Sequence, residues 1–265
     1  MSNFSEIKAS VHGKVGLIRF DRKQARNALT DLMLAETQDQ MRAWELDKAI
    51  SCIVLTGDED AFCAGGDVNA SAASQLGAFD KYRMRHTQSE WHNFMRFLGN
   101  YTKPVIAAIE GYALGGGLEI ALRCDFAVGS QTAQLGLTEA KLSLFPILGG
   151  AWSLADAVGA RMARELLYTA RRIGAQEAKE LGILNHVVPA GAAIEKALEI
   201  AGQIAVNGPL AVMAAKQAVN RARSQTFEEA LSAGGDLSAL LMFSQDRREG
   251  LDAFKEKREP DFRGE

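Results

Sequence analysis

Cysteine is scarce: Cys52, Cys63 and Cys124 are the only three in 265 residues. An odd number of widely spaced thiols supplies neither a disulfide framework nor the paired spacing of a zinc ribbon, so reduced, buried thiols are expected. Of the four histidines (His12, His86, His92, His186) only His86 and His92 share a predicted helix, and their separation is not that of metal ligands. All four read as surface or packing residues, and no metal site is expected. Long apolar runs are missing as well. Pro104 to Ile109 and Leu118 to Leu122 stop far short of the roughly 20 residues that cross a bilayer, so no membrane span is expected. The opening MSNFSEIKAS has neither a basic n-region nor an apolar h-region, which points to the cytoplasm. Nor does one sign of charge prevail: 30 basic against 33 acidic residues leave a net charge of -3. That balance gives no electrostatic reason for a nucleic-acid partner and leaves a small molecule as the better expectation.

What is present is enough apolar material for a sizeable core, with 47% hydrophobic residues and no internal repeat. IKASV and VGLIRF flank His12-Gly13-Lys14 and predict a hairpin. Leu29 to Leu46 has helical spacing, with Thr30 and Asp31 as N-cap candidates. Ile50 to Thr56 and Pro104 to Ile109 are short apolar strands, each feeding a glycine-bearing loop and then a helical pattern. Further strands are predicted at Phe126 to Val128, Ala133 to Leu137 and Asn185 to Val188. Helices are predicted at Ala193 to Ile204, Pro209 to Arg221, Phe227 to Met242 and Arg247 to Lys257. Strand, glycine loop, helix, performed twice, brings backbone N–H groups to the carboxyl ends of neighbouring strands of an α/β fold.

The two loops are AFCAGGDV (Ala61 to Val68) and YALGGGLEIALRCD (Tyr112 to Asp125). Glycine costs roughly 1 kcal/mol relative to alanine inside a helix, so the run Gly115 to Gly117 at a helix entrance sacrifices local stability. Tight packing or a helix N-terminal turn would explain it, as would a ligand that needs bare backbone. A dinucleotide loop fits poorly, because the order G-x-G-x-x-G is absent and no acid closes a second strand at the required spacing. Two acids stand out. Glu119 lies just inside the helix opened by the glycines, and Glu139 follows QLGL. Either could be a helix-terminal acid or cap; partly buried, they could also exchange protons near neutral pH.

These segments carry a family resemblance. DRKQARNAL (Asp21 to Leu29), FCAGGDV, GYALGGGLEIALRCD, LGLTEAKLSLFPILGG (Leu135 to Gly150) and AFKEKREPDF (Ala253 to Phe262) occur in the order found in the crotonase superfamily, the enoyl-CoA hydratases and isomerases. The resemblance implies an α/β fold with a crotonase-like ββα spiral core over residues 1–200 and a C-terminal helical trimerisation region over 201–265, assembled as a homotrimer or homohexamer. It implies that the N–H groups of Gly66 and Gly116 form an oxyanion hole for a thioester enolate. The spacing of 20 between Glu119 and Glu139 is that of the hydratases: Glu139 would exchange the α-carbon proton while Glu119 holds and activates the water. The implied reaction is hydration of 2-trans-enoyl-CoA, with Δ3,Δ2-enoyl-CoA isomerisation or non-catalytic acyl-CoA binding as alternatives. Acyl-CoA is then the substrate, and neither a metal nor a redox cofactor is expected. By motif position Ala25 and Arg26 would lie near the adenine and phosphate end, Ala64, Gly66, Asp67 and Val68 along the pantetheine, and Phe254 and Lys257 would reach CoA from the tail. Asp67 also reads as a cap for the segment after it, and pocket walls are expected from Tyr82 to Phe97. Two departures stand out. Lys23-Gln24 replaces the usual proline and lysine, and Pro146-Ile147-Leu148-Gly149-Gly150 replaces a proline-glycine-alanine-glycine-glycine stretch. The branched side chain of Ile147 is expected to take up space beside the reacting carbons.

Overall fold

The hairpin expected at the start forms from β1 (Ile7–His12) and β2 (Val15–Phe20), antiparallel, with His12 opposite Val15. The computed structural model to which it belongs describes residues 4–67 and 81–265, the side chains of residues 81–89 excepted. Helix α1 (Asp31–Leu46) follows, and Thr30 caps it by accepting the Met33 N–H at 3.0 Å. The chain then repeats a unit. It lays β3 (Cys52–Thr56), β5 (Val105–Ile109) and β7 (Phe126–Ser130) side by side in a large sheet. After each comes a short strand of a second sheet: β4 (Ala61–Cys63), β6 (Tyr112–Leu114) and β8 (Gln134–Gly136). Helices α2 (Lys81–Asn100), α3 (Gly116–Arg123) and α4 (Gly150–Thr169) follow the three pairs in turn. Beyond them lie β9 (Ile173–Gly174), α5 (Ala175–Glu180) and β10 (His186–Val188). The large sheet has the order β1-β2-β3-β5-β7-β10, parallel except for β1, and the small one β4-β6-β8-β9.

Strands β8 and β10 fall inside the strands expected at Ala133 to Leu137 and Asn185 to Val188, whereas β4, β6, β9 and α4 were not legible as such. Ala61–Cys63 and Tyr112–Leu114 read as loop because three residues are too few to show a period of two. Helix α4 is broken at Gly159, whose φ of 77° is not helical, and that interruption blurs its periodicity.

Period-two alternation in the large sheet divides the interior into two cores. Ile18, Ile53, Leu55, Ala107 and Ile109 face the small sheet and helices α1 to α4. There the edge-to-face pair Phe20–Phe62, with ring centroids 5.4 Å apart, joins the two sheets. Val15, Leu17, Val54, Ile106, Ala108 and Val128 face the other way, onto α6 (Ala193–Ala205). That helix offers Ala193, Ala197 and Ala201, one small residue every four, so that its backbone lies close against the sheet. The division expected at residue 200 thus falls inside a helix that belongs to the sheet packing. Helices α7 (Pro209–Ala222), α8 (Phe227–Met242) and α9 (Gln245–Glu256) complete the chain. No single helix among the described residues is long and apolar enough to cross a membrane.

Because Ala197 is wholly buried between α6 and the sheet, the added methylenes of Ala197→Leu have nowhere to go. Urea unfolding should show a loss of about 1–3 kcal/mol; unchanged stability would mean that the helix is not seated as closely as described.

Candidate active site

The two glycine loops meet because the Asp21 to Leu29 segment is pinned to the first of them. Buried Asn27 holds a left-handed φ of 54° and gives its amide to the Ala61 carbonyl at 2.8 Å and to Asp58 Oδ2 at 3.1 Å. The Ala64 N–H donates to the Arg26 carbonyl at 3.0 Å. Leu29 then bridges Gly66: the Leu29 N–H donates to the Gly65 carbonyl at 2.8 Å, and the Asp67 N–H to the Leu29 carbonyl at 3.1 Å. In such a bridge the intervening residue turns its own N–H away from the partner strand. That residue is Gly66.

Gly116 opens α3, where the first N–H groups have no partner within the helix. It lies against Gly66: a Cβ built on Gly116 would stand 3.9 Å from the Gly66 nitrogen, and one on Gly65 3.7 Å from the Gly116 nitrogen. The three consecutive glycines serve different ends. Gly115 has φ 51° and ψ -127°, a conformation closed to other residues, and a Cβ there would lie 3.2 Å from Glu139 Oε1. A Cβ on Gly117 would run into the Cys63 carbonyl, so this glycine lets α3 seat on β4. A Cβ on Gly116 would stand 2.8 Å from Leu29 Cδ1 and 3.4 Å from Leu148 Cδ1. Packing and an open backbone are thus both required, at different glycines. Gly66 is less confined, since a methyl there would meet only the Trp91 ring at 3.7 Å.

Glu119, 2% exposed, projects from the first turn of α3. Its Oε1 accepts the Leu148 N–H at 2.8 Å and the Gly150 N–H at 2.7 Å. Burial pushes its pKa up to about 7; the Glu139 charge adds to the rise, and the two amide donors oppose it. Glu139 begins a 3-10 turn, Glu139–Leu142, and burial raises its pKa too. Its Oε2 is buried without a hydrogen-bond partner among the described residues. Two carboxyls whose surroundings favour the neutral form, beside two backbone donors, can hold and pass protons, Glu119 near neutral pH.

The other predicted residues divide. Ala25, Arg26 and Ala64 lie on the same pair of loops. The guanidiniums of Arg26 and Arg172 sit 5.6 and 5.2 Å from the centre of the Tyr112 ring, which makes the rim of the small sheet cationic. Asp67 accepts from Arg22 Nη2 at 3.0 Å and so also braces the two loops. Val68 lies outside the described residues, as do the side chains of Tyr82 to Ser89. Phe254 and Lys257 are exposed on and just after α9, and no hydrogen bond or ion pair joins them to the glycine loops among the described residues. The start of α9 is tied through the tail to the far end of α1, with the Asp246 N–H on the Glu265 carbonyl and Lys48 on Glu265.

Leu148 is buried against the Gly116 turn and so walls the site, next to Ile147, which is 39% exposed; one expectation changes. His92 is not merely a surface or packing residue, because its Nε2 donates to the Ile147 carbonyl at 2.8 Å. Leu148 and Gly150 were missed as partners of Glu119, because contacts made through backbone amides leave no mark in a sequence, whereas Trp91 lies inside the Tyr82 to Phe97 stretch expected to wall the pocket.

The sequence over residues 10–265 matches the family model described as enoyl-CoA hydratase/isomerase. A 2,3-dehydroadipyl-CoA hydratase of Escherichia coli is 36% identical over 98% of this chain and 99% of that relative. The mitochondrial enoyl-CoA hydratase of Pongo abelii is 37% identical over 99% of this chain and 89% of that one. The crystal structure of an enoyl-CoA hydratase from Bacillus anthracis superposes with a TM-score of 0.93 at 39% identity, covering 98% of this chain and all of the other. A two-sheet ββα spiral with paired glycine loops, matched along its whole length in this way, belongs to the enoyl-CoA hydratase/isomerase family, the crotonase superfamily.

Glu139→Gln removes a negative charge that disfavours ionisation of Glu119. The Glu119 pKa should therefore drop below its value of about 7, as read by carbon-13 NMR titration of the labelled carboxyl. An unmoved titration would show that the two groups do not sense one another.

Proposed function

We infer that the chain hydrates 2-trans-enoyl-CoA thioesters to 3-hydroxyacyl-CoA. The observation that carries this is the pair Glu119 and Glu139 on either side of a turn whose backbone approaches Gly66. The thioester oxygen would sit between the N–H groups of Gly66 and Gly116, the second strengthened by the N-terminus of α3. Water held by ionised Glu119 adds its oxygen to the β-carbon and gives Glu119 its proton. The electrons of the double bond move to the α-carbon and thioester as an enolate. Protonated Glu139 then returns a proton to the α-carbon, and passage of a proton from Glu119 to Glu139 resets the pair. Water is consumed, and neither a metal nor a redox cofactor enters.

Isomerisation moves one proton between α and γ carbons and calls for a single acid, so two carboxyls, Glu119 buried and Glu139 partly so, favour hydration; relatives named as hydratases support the same choice. For the CoA portion the reading uses Ala25 and Arg26 at the phosphate end and Ala64, Gly66, Asp67 and Val68 along the pantetheine. Phe254 and Lys257 would reach it from a tail. An assembly of three copies, or of two such trimers, is supported by the apolar side chains that α8 and the residue after it leave exposed, among them Phe227, Leu240 and Phe243. The cytoplasm remains the proposed location.

Loss of the conjugated-thioester absorbance of crotonyl-CoA is the direct assay. Purified protein should consume it, and Glu139→Gln should stop turnover; consumption of a 3-enoyl-CoA alone would turn the assignment to an isomerase, and binding without conversion to an acyl-CoA carrier. In the same assay Gly66→Ala, whose methyl has room, should stay active. Gly66→Pro, which has no N–H, should lose on the order of 10²–10³ in kcat, and equal activity in the two would remove Gly66 from the oxyanion hole.

A further inference from the structure

His92 stands on α2, next to Trp91, and has no part in the steps above. Its Nε2 lies 2.8 Å from the Ile147 carbonyl oxygen. A carbonyl oxygen has no proton to give, so Nε2 carries the hydrogen and donates. The peptide group that begins with this carbonyl ends in the Leu148 N–H, which donates to Glu119 Oε1 at 2.8 Å. One planar amide is therefore held at both ends, its C=O by an imidazole and its N–H by the carboxylate. Fixing the carbonyl fixes the direction of the N–H, and each bond polarises the other.

The segment around this peptide is short of other anchors. Leu144, Phe145 and Ile147 are 57%, 67% and 39% exposed, and Pro146 has no N–H to give. Gly149 follows with φ 91°, a conformation that lets the chain turn freely there. Among the described residues, the bond from His92 is the only hydrogen bond that a residue of another helix makes to positions 145–147.

We propose that His92 is a positioning residue for the hydration: acting through the Ile147–Leu148 peptide, it holds the Glu119 carboxylate in the orientation that grips water. The proposal rests on the reading of Glu119 as the water-holding group.

The test compares kcat, KM and the pH dependence of kcat on crotonyl-CoA for the wild type, His92→Leu and His92→Gln. In His92→Leu the carbonyl loses its donor, and kcat should fall roughly tenfold, the worth of about one hydrogen bond, while KM holds. A looser Leu148 N–H supports the ionised form of Glu119 less well, so the acid limb of the profile should move to higher pH. His92→Gln, whose amide reaches the same carbonyl, should restore both. Wild-type kcat and an unmoved acid limb in His92→Leu, or equal losses in the two variants, would overturn the proposal. Should His92→Leu fail to fold by circular dichroism, His92→Asn, too short to reach, takes its place with the same expectations. Full activity in Glu119→Gln would overturn the role of Glu119 and this inference with it, whereas an inactive Glu119→Gln beside an unaffected His92→Leu overturns the inference alone.

Discussion

The structure depends on one close approach of backbone to backbone, where Gly65 and Gly66 of the first loop meet Gly115 to Gly117 of the second. Side chains are excluded there for reasons that differ from one position to the next: a left-handed conformation at Gly115, the methyls of Leu29 and Leu148 at Gly116, a carbonyl oxygen at Gly117. The ββα repeat delivers the loops to this meeting, because each circuit ends one strand in the large sheet and starts another in the small one at the same edge. Asn27, buried and with a left-handed backbone, fastens the third participant, the Asp21 to Leu29 segment, onto the first loop.

Around that approach the chemistry is set by burial rather than by opposite charge. Neither Glu119 nor Glu139 has a cationic partner among the described residues. Desolvation raises both, and backbone amides limit the rise at Glu119 without cancelling it. A lysine or arginine nearby would have held either carboxyl firmly ionised and unsuited to passing a proton at neutral pH. The positive charge lies instead where Arg26 and Arg172 meet the Tyr112 ring.

Much of the large sheet was legible because its strands alternate or run apolar without a break, and because the glycine and acid punctuation between them is sharp. The hairpin, α1 with its Thr30 cap, the strand before each glycine loop and the C-terminal helices fall within a few residues of their expected bounds. Of the small sheet only β8 was legible, as the strand expected at Ala133 to Leu137; β4, β6 and β9, of two or three residues, carry no period. Helix α4 was not legible either, because Gly159 interrupts the pattern. At the site, Glu119, Glu139 and the paired glycines announced themselves by type and spacing. Leu148, Gly150 and the bond made by His92 did not, because each acts through a backbone amide or carbonyl, whereas Trp91 falls in the stretch expected to wall the pocket.

The sequence by itself determined the family, the two loops, the two acids and the reaction class they suit, since these are properties of residue type and order. Tertiary structure alone decided which glycine serves backbone conformation and which serves packing, that Leu148 is buried against the Gly116 turn, and that a histidine from α2 is tied to the peptide that holds Glu119. The physical reason is that proton affinity and orientation are set by what surrounds a group in space, and the surroundings of Glu119 come from positions 29 and 31 residues away.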